Sequence, residues 1–400
     1  MRRNSIQTSG LGSDILKRVR SHDGISRVAL ARELGLAPST AGIYVERLIT
    51  EGFLVERESQ AHDAGRPPRL LRPNPEGGEF IGVDFEARNI MAVAVDFSDR
   101  PLRNAHRSIE PSDSAAQVMR KVEEAIAEIL PKSAGKLLAI GVGVPGIVDA
   151  VRGVAVHYKY IAKWQNVPLV GQLTARFGVP VFVENNARSM ALAELWFGQG
   201  RGLKDFLCLG IRSGIGVGIV LNGRLQGGAR YGAGELGRWR STYPNGPELQ
   251  EIASARAIKE SLQKQVSAGR KTVLRGNAIT FADVVIAAQQ RDALTMQVLG
   301  QAAEVLGQAI GQMALLLDPA RVILAGPLSQ LGDTFLDPVR AAAARTVVAG
   351  VLSPPEIVNS SMGEFSGALG AAALALHEWK PLQGAEEPVP VRRPRLKRAR

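Results

Sequence analysis

Four hundred residues are more than one ordinary hydrophobic core holds, so two or three domains are expected. Hydrophobic residues make up 45% and charged residues 22%, both normal for a globular chain, and the single cysteine, Cys208, excludes a disulfide framework and suits a reducing cytoplasm. The net charge of +11 sits at the ends: residues 1–75 hold twelve Lys/Arg against eight Asp/Glu, and the last thirteen residues add six cations and no acid, as expected if the ends meet a polyanion.

The first eight residues contain no apolar run, so no signal peptide is expected, and no later run approaches the roughly 18–20 apolar residues of a membrane span. Residues 14–20 predict a short helix with Ile15, Leu16 and Val19 on one face. A second helix follows over 26–34. Gly35 supplies a tight turn, and Pro38 opens a third helix whose Ala41, Val45, Leu48 and Ile49 share a face. Two helices across a glycine turn predict a helix-turn-helix. Residues 53–57 and 69–72 read as paired strands around a polar loop, which adds a wing. The third helix is expected to show Ser39, Thr40, Ile43, Tyr44 and Arg47 outward to DNA, with Arg66 reaching phosphates or the minor groove from the wing. The wing segment Gly65-Arg66-Pro67-Pro68 resembles the Gly-Arg-Arg-Pro wing of repressors of the ROK family, which also contains sugar kinases. Ala37 and Gly42 depart from good helix chemistry at this site and together cost roughly 1–2 kcal/mol. Pro73-Asn-Pro-Glu-Gly-Gly78 reads as a linker.

Residues 80–84 and 90–96 predict a β-hairpin. In ROK kinases and the wider actin-like ATPase fold this hairpin carries Asp-x-Gly-Gly-Thr, whose glycines let backbone amides approach ATP phosphate. Here the stretch is Asp84-Phe85-Glu86-Ala87-Arg88: both glycines are lost and Glu86 lies where a phosphate would. An amphipathic helix over 114–130 and a strand over 136–144 lead into Gly143-Val-Pro-Gly-Ile-Val-Asp149, similar to the family's Gly-x-Pro-Gly-x-Val-Asp. Tyr160 stands four residues before Trp164, where the kinases place a sugar-binding Asn.

The stretch Val181-Phe-Val-Glu-Asn-Asn-Ala187 is a buried strand that ends in three hydrogen-bonding side chains and opens a helix. Asn there suits a helix cap, and ligands bind at such strand ends in open α/β sheets. It resembles the family's Glu-Asn-Asp-Ala-Asn, in which the aspartate is the base that deprotonates the sugar. That position is Asn186, and an amide cannot take the proton. Residues 206–225 resemble the second phosphate hairpin, with Gly214, Gly216 and Gly218 in place; glycines here equally serve a tight hairpin. Gly232-Ala-Gly-Glu-Leu-Gly-Arg238 is similar to the family's Gly-Glu-x-Gly-His. The resemblance makes Glu235 a partner for sugar hydroxyls, puts Arg238 in place of a zinc-binding histidine, and puts Gln250 in place of a family glutamate. Residues 241–249 hold no cysteine, so no zinc is expected. Long apolar helices are predicted over 280–317, with Ala303, Leu306, Ile310, Met313 and Leu317 on a buried stripe. Pro327 alters the third nucleotide motif, and a small-residue helix over 366–376 closes the fold.

The fold class expected is α/β: an N-terminal winged helix-turn-helix over 1–75, a two-lobed actin-like ATPase domain over 79–380, and a disordered basic tail over 381–400. The resemblance implies a cytoplasmic transcriptional regulator that binds double-stranded DNA as a homodimer or higher oligomer. It would respond to a sugar or sugar derivative through Asn185, Asn186, Glu235 and Arg238, without cofactor, metal or kinase activity. Arg238 suggests an anionic sugar, unless it pairs with a neighbouring carboxylate. Two alternatives remain: a regulator that uses the large domain only to dimerise, and a sugar kinase with a DNA-binding appendage.

Overall fold

Apolar spacing drives the N-terminal unit. The computed structural model describes residues 10–58, 69–131, 136–240, 245–276, 278–347 and 353–381. Helix α1 (Leu11–Arg20) buries Leu11, Ile15, Leu16 and Val19. Helix α2 (Arg27–Glu33) is capped by Ser26, whose hydroxyl accepts from the Ala29 amide. Helix α3 (Pro38–Thr50) starts at proline, with no side-chain cap from Ala37. Strands β1 (Leu54–Glu58) and β2 (Arg69–Pro73) pair antiparallel and complete a winged helix-turn-helix.

One predicted recognition residue is misplaced. Tyr44 is not outward: it is 4% exposed in the core with Ala41, Val45 and Leu48. The physical reason is the helix wheel, because 41, 44, 45 and 48 are related by i, i+3, i+4 and i+7. Ser39 and Ile43 are exposed, and Arg47 pairs with Glu51 at 3.0 Å. The wing tip, with Arg66, lies outside the described residues.

The stretch read as a linker is an ordered turn. Asn74 donates to the Gly52 carbonyl at 2.7 Å and accepts from the Glu76 amide. Beyond it an aromatic cluster joins the winged unit to the large domain: Phe53 stacks on Phe97 at 5.2 Å and meets Trp379 edge-on at 5.1 Å.

The first lobe is a five-stranded sheet ordered β10-β6-β3-β4-β5. Its strands are β3 (Glu79–Phe85), β4 (Asn89–Asp96), β5 (Pro101–Ser108), β6 (Leu137–Val144) and, after a small sheet, β10 (Val181–Asn185). The small sheet comprises β7 (Ile147–Asp149), β8 (Val154–His157) and β9 (Gln165–Val167). Helices α4 (Ala115–Glu128) and α5 (Leu169–Phe177) cover the lobe. Strand β5 had no sequence signal, because Ala105 is its one buried residue.

Helix α6 (Asn186–Phe197) crosses to the second lobe. There β11 (Phe206–Ile211), β12 (Ile215–Leu221), β13 (Arg224–Leu225), β14 (Arg321–Ala325) and β15 (Glu356–Asn359) form a sheet ordered β13-β12-β11-β14-β15. Helices α7 (Leu249–Ala253), α8 (Ala255–Ser267), α9 (Phe281–Gln289), α10 (Ala293–Leu317) and α11 (Asp333–Thr346) pack on it. The long apolar helices expected over 280–317 are α9 and α10. Arg291 takes φ of 55°, and Asp292 caps α10 by accepting from the Thr295 amide.

Helix α12 (Ser366–Glu378) returns to the first lobe and packs on α6 at backbone distance: a Cβ at Gly370 would collide with the Ser189 carbonyl. Near its C-terminus His377 lies edge-on to Trp196 at 5.3 Å, with its Nδ1 buried and unbonded. Burial, reinforced by Lys17 and Arg20, lowers its pKa from 6.5 to about 4. The folded value lies below the unfolded one, so this contribution is full above pH 6.5 and is lost as pH falls toward 4. Urea titrations at pH 7 and pH 4.5 should show a loss of about 2–3 kcal/mol that His377→Gln largely removes; an equal loss in the variant would assign the acid sensitivity elsewhere.

Candidate functional site

Strand β10 feeds directly into α6, and the junction serves local structure first. Asn185 caps the helix, its Oδ1 accepting from the amides of Ala187 at 2.9 Å and Arg188 at 3.4 Å, while its Nδ2 donates to the Gly146 carbonyl. Its hydrogen-bonding groups are thereby engaged. Asn186 reaches the Phe85 carbonyl only at 3.5 Å and keeps most of its capacity. Buried Arg188 pairs with Glu184 and donates to the Tyr231 carbonyl at 2.8 Å. That bond anchors the loop that carries Glu235.

All four residues expected to bind ligand, Asn185, Asn186, Glu235 and Arg238, line one cleft of about 240 Å³. Arg238 pairs with Glu235 at 3.5 Å, both exposed, so a carboxylate partner for Arg238 is at hand. Tyr160 and Gln250 also line the cleft, and Gln250 donates to Glu248 at 2.6 Å. Sequence reasoning missed His157, Lys159 and Glu248. Their signal was proximity in the chain to Tyr160 and Gln250.

Where the first and second phosphate hairpins meet, the chain bridges its own lobes. Arg212, just after β11, forks onto Asp84 near the end of β3, with bonds of 2.5 and 3.1 Å. Asp84 is 1% exposed. Burial pushes the Asp84 carboxyl up and Arg212 opposes that shift, while Asp84 keeps the Arg212 guanidinium charged. Glu86 accepts from the Ser213 amide at 3.3 Å and from its hydroxyl at 3.0 Å, and the Tyr158 hydroxyl meets Ser213 at 2.9 Å. Arg212 was not foreseen, although a cation directly after the apolar run of β11 has to find a partner once buried.

The glycines of the second hairpin serve packing. A Cβ at Gly216 would sit 2.6 Å from the Ala187 Cβ, and one at Gly218 would collide with Ala191, so they admit α6. Pro327 opens a 3₁₀ turn immediately after Gly326, which takes φ of 107°.

Among the described residues no group of three or more His, Cys, Asp or Glu is placed to hold a metal ion, and residues 241–244 lie outside that set. Elemental analysis is expected to find well under one zinc per chain; a stoichiometric, tightly held ion would contradict this reading of Arg238.

Residues 80–378 match the ROK family, and residues 12–55 match a winged helix-turn-helix DNA-binding family. The putative xylose repressor of Caldicellulosiruptor sp. (strain Rt8B.4) is 30% identical over 341 residues, 82% of this chain and 85% of that protein. A ROK family transcriptional regulator described as a homolog of the E. coli MLC protein superposes with a TM-score of 0.78 at 24% identity, over 92% of this chain and 96% of that one. A ROK family glucokinase from Streptomyces griseus, in complex with glucose and AMPPNP, gives 0.68 at 27% identity, over 74% and 99%.

Proposed function

Because the chain belongs to the ROK family, we propose that it is a DNA-binding repressor whose large domain senses a sugar or sugar derivative and transfers no phosphate. One observation carries the reading. The hydroxyl-facing cleft is kept, while the neighbouring phosphate loops are bridged by Arg212 on Asp84 and Glu86 on Ser213. A protein of this design binds its ligand and releases it unchanged.

The DNA surface consists of the start of α3, with Ser39 and Thr40, together with Arg47 and the wing residue Arg66. A homodimer or higher oligomer would present two such surfaces to palindromic half-sites. Arg66→Ala is expected to weaken binding on operator and random DNA alike. Tyr44→Ala should instead lower the stability of the winged unit by about 3 kcal/mol, since it empties a buried aromatic site. Gel shifts at two salt concentrations, paired with thermal melts, separate these effects. Unchanged binding in Arg66→Ala would remove the wing assignment.

Titration of the operator-bound protein with neutral hexoses, pentoses and amino sugars tests the sensing role. Saturable release by one of them, reduced in Asn186→Ala, is expected. A second reading, an effector-independent regulator, is favoured by the engagement of Asn185 in capping and of Arg238 with Glu235. It predicts release by no member of the panel.

A further inference from the structure

The winged unit and the large domain flank a second, open cavity of about 720 Å³, which shares no lining residue with the sugar cleft. Strand register decides what the winged unit presents there. Leu54, Glu56 and Leu71 face the helices, so Val55, Arg57 and Arg72 face the cavity from the opposite side of β1–β2. Helix α3 lies on the helix side, where Arg27 ties its Glu46 to Glu56. The large domain contributes Arg100, Arg201 and the end of α6 with Trp196.

The charges in this cavity do not balance. Arg72 pairs with Asp23 at 2.6 Å, and Arg100 pairs with Asp96 at 3.2 Å. Arg20 lies over the Phe97 ring at 4.3 Å and faces Asp99 at 3.9 Å, and both its Nε and the Asp99 Oδ1 are buried without a hydrogen bond. Burial lowers Arg20 to about 10 against the opposing charge of Asp99, and its Nη2 donates to the Phe97 carbonyl at 3.1 Å. Arg57, exposed, stands in no ion pair among the described residues, and Arg201, also exposed, acts electrostatically on Asp99 without a close ion pair. One unpaired cation, Arg57, and a second, Arg201, that shares Asp99 with Arg20 thus lie on walls from different units, beside an indole.

We infer that this cavity is a binding site for a phosphate monoester that carries an apolar ring. Such a group brings close to two negative charges at neutral pH, and its oxygens suit guanidinium forks. Its ring would cover Trp196. A DNA phosphodiester brings one charge per phosphate, and here it would have to enter on the side away from α3. The occupant links the two units, so it changes how the winged unit is held against the sensing domain. Helix α6 reaches both places: its first turn lines the sugar cleft and its last turn lines this cavity.

Phenyl phosphate is the probe, because it contains no sugar, and phenol is its neutral control. Calorimetry on the full chain should give saturable binding of phenyl phosphate and none of phenol. The Arg57→Ala/Arg201→Ala double variant, with an unchanged melting temperature, should bind at least about tenfold more weakly, the scale of one charged hydrogen bond. Tryptophan fluorescence should change on binding in the wild type and not in Trp196→Phe. Absence of binding, equal binding by the double variant, or displacement by operator DNA in proportion to added duplex would each overturn the assignment. Sugar release measured on the same variant stays intact if only the sensing cleft is correctly assigned, which keeps the two readings separable.

Discussion

Replacing Arg212 with methionine should lower the stability of the large domain by about 3–5 kcal/mol, the usual cost of leaving one member of a buried ion pair alone. Both carboxylate oxygens of Asp84 are held by the one guanidinium, and the site has no room to rearrange: a Cβ on Gly367 would already lie 2.5 Å from Asp84 Oδ2. Burial already holds the folded pKa of Asp84 above the unfolded value near 3.9, and without Arg212 burial and the neighbouring Glu86 charge act unopposed and raise it further. The unfolded state then loses its proton first, so the variant should lose stability as pH rises from about 4 toward that folded value. Urea unfolding at pH 5 and pH 8 reads this directly. Adding Asp84→Asn removes the stranded charge and should recover at least about 1 kcal/mol at pH 8. An Arg212→Met midpoint equal to wild type would show that the bridge contributes nothing and that the lobes are held by packing alone.

What the sequence disclosed and what it hid divide along physical lines. The winged unit was readable because its helices carry apolar stripes at helical spacing and its breaks carry Gly35 and Pro38. The hairpin of β3 and β4 was readable because both strands are nearly all apolar and end in polar turns. Strand β5 was not, because an edge strand of Pro-Leu-Arg-Asn-Ala-His-Arg-Ser buries little and gives no alternation. The helices over 280–317 were readable from their apolar stripe, but not the place where one ends and the next begins: Gln-Arg-Asp contains neither Gly nor Pro, yet Arg291 turns left-handed and Asp292 starts the next helix. Tyr44 was mistaken through chemistry, as a polar aromatic on a docking helix invites a DNA role that its wheel position denies. In the site, the pocket-forming positions followed from motif order, whereas their states did not. That Asn185 is consumed by capping, that Glu235 holds Arg238, and that Arg212 finds Asp84 across 128 residues are outcomes of tertiary geometry. The interunit cavity is of the same kind, since its arginines come from five separate segments of the chain.

Restoring the missing base should not restore catalysis: neither the wild type nor Asn186→Asp is expected to hydrolyse ATP in a sugar-dependent manner across hexoses, pentoses and amino sugars. A positioned general base contributes typically 10²–10⁴-fold, and only to a phosphoryl group already held in line. That holding is what the loop contacts oppose, because phosphoryl transfer rests on positioning and on neutralising phosphate charge. Asp84, the residue that opens the first phosphate motif, is occupied by Arg212. The Ser213 amide at the second hairpin, a donor available to an anion in an open loop, is taken by Glu86 at 3.3 Å. A carboxylate about 4 Å from a phosphate costs on the order of 4 kcal/mol for each charge at an intermediate dielectric. These obstacles are independent of residue 186, so the single change meets all of them. The assay is coupled ADP release at millimolar ATP and magnesium, with sugar binding to the same variant measured by calorimetry to show that the cleft survives. Turnover by the wild type would overturn the regulator reading altogether. Turnover confined to Asn186→Asp would mean that nucleotide displaces Arg212 from Asp84, so the bridge would be a gate and the phosphate site intact beneath it.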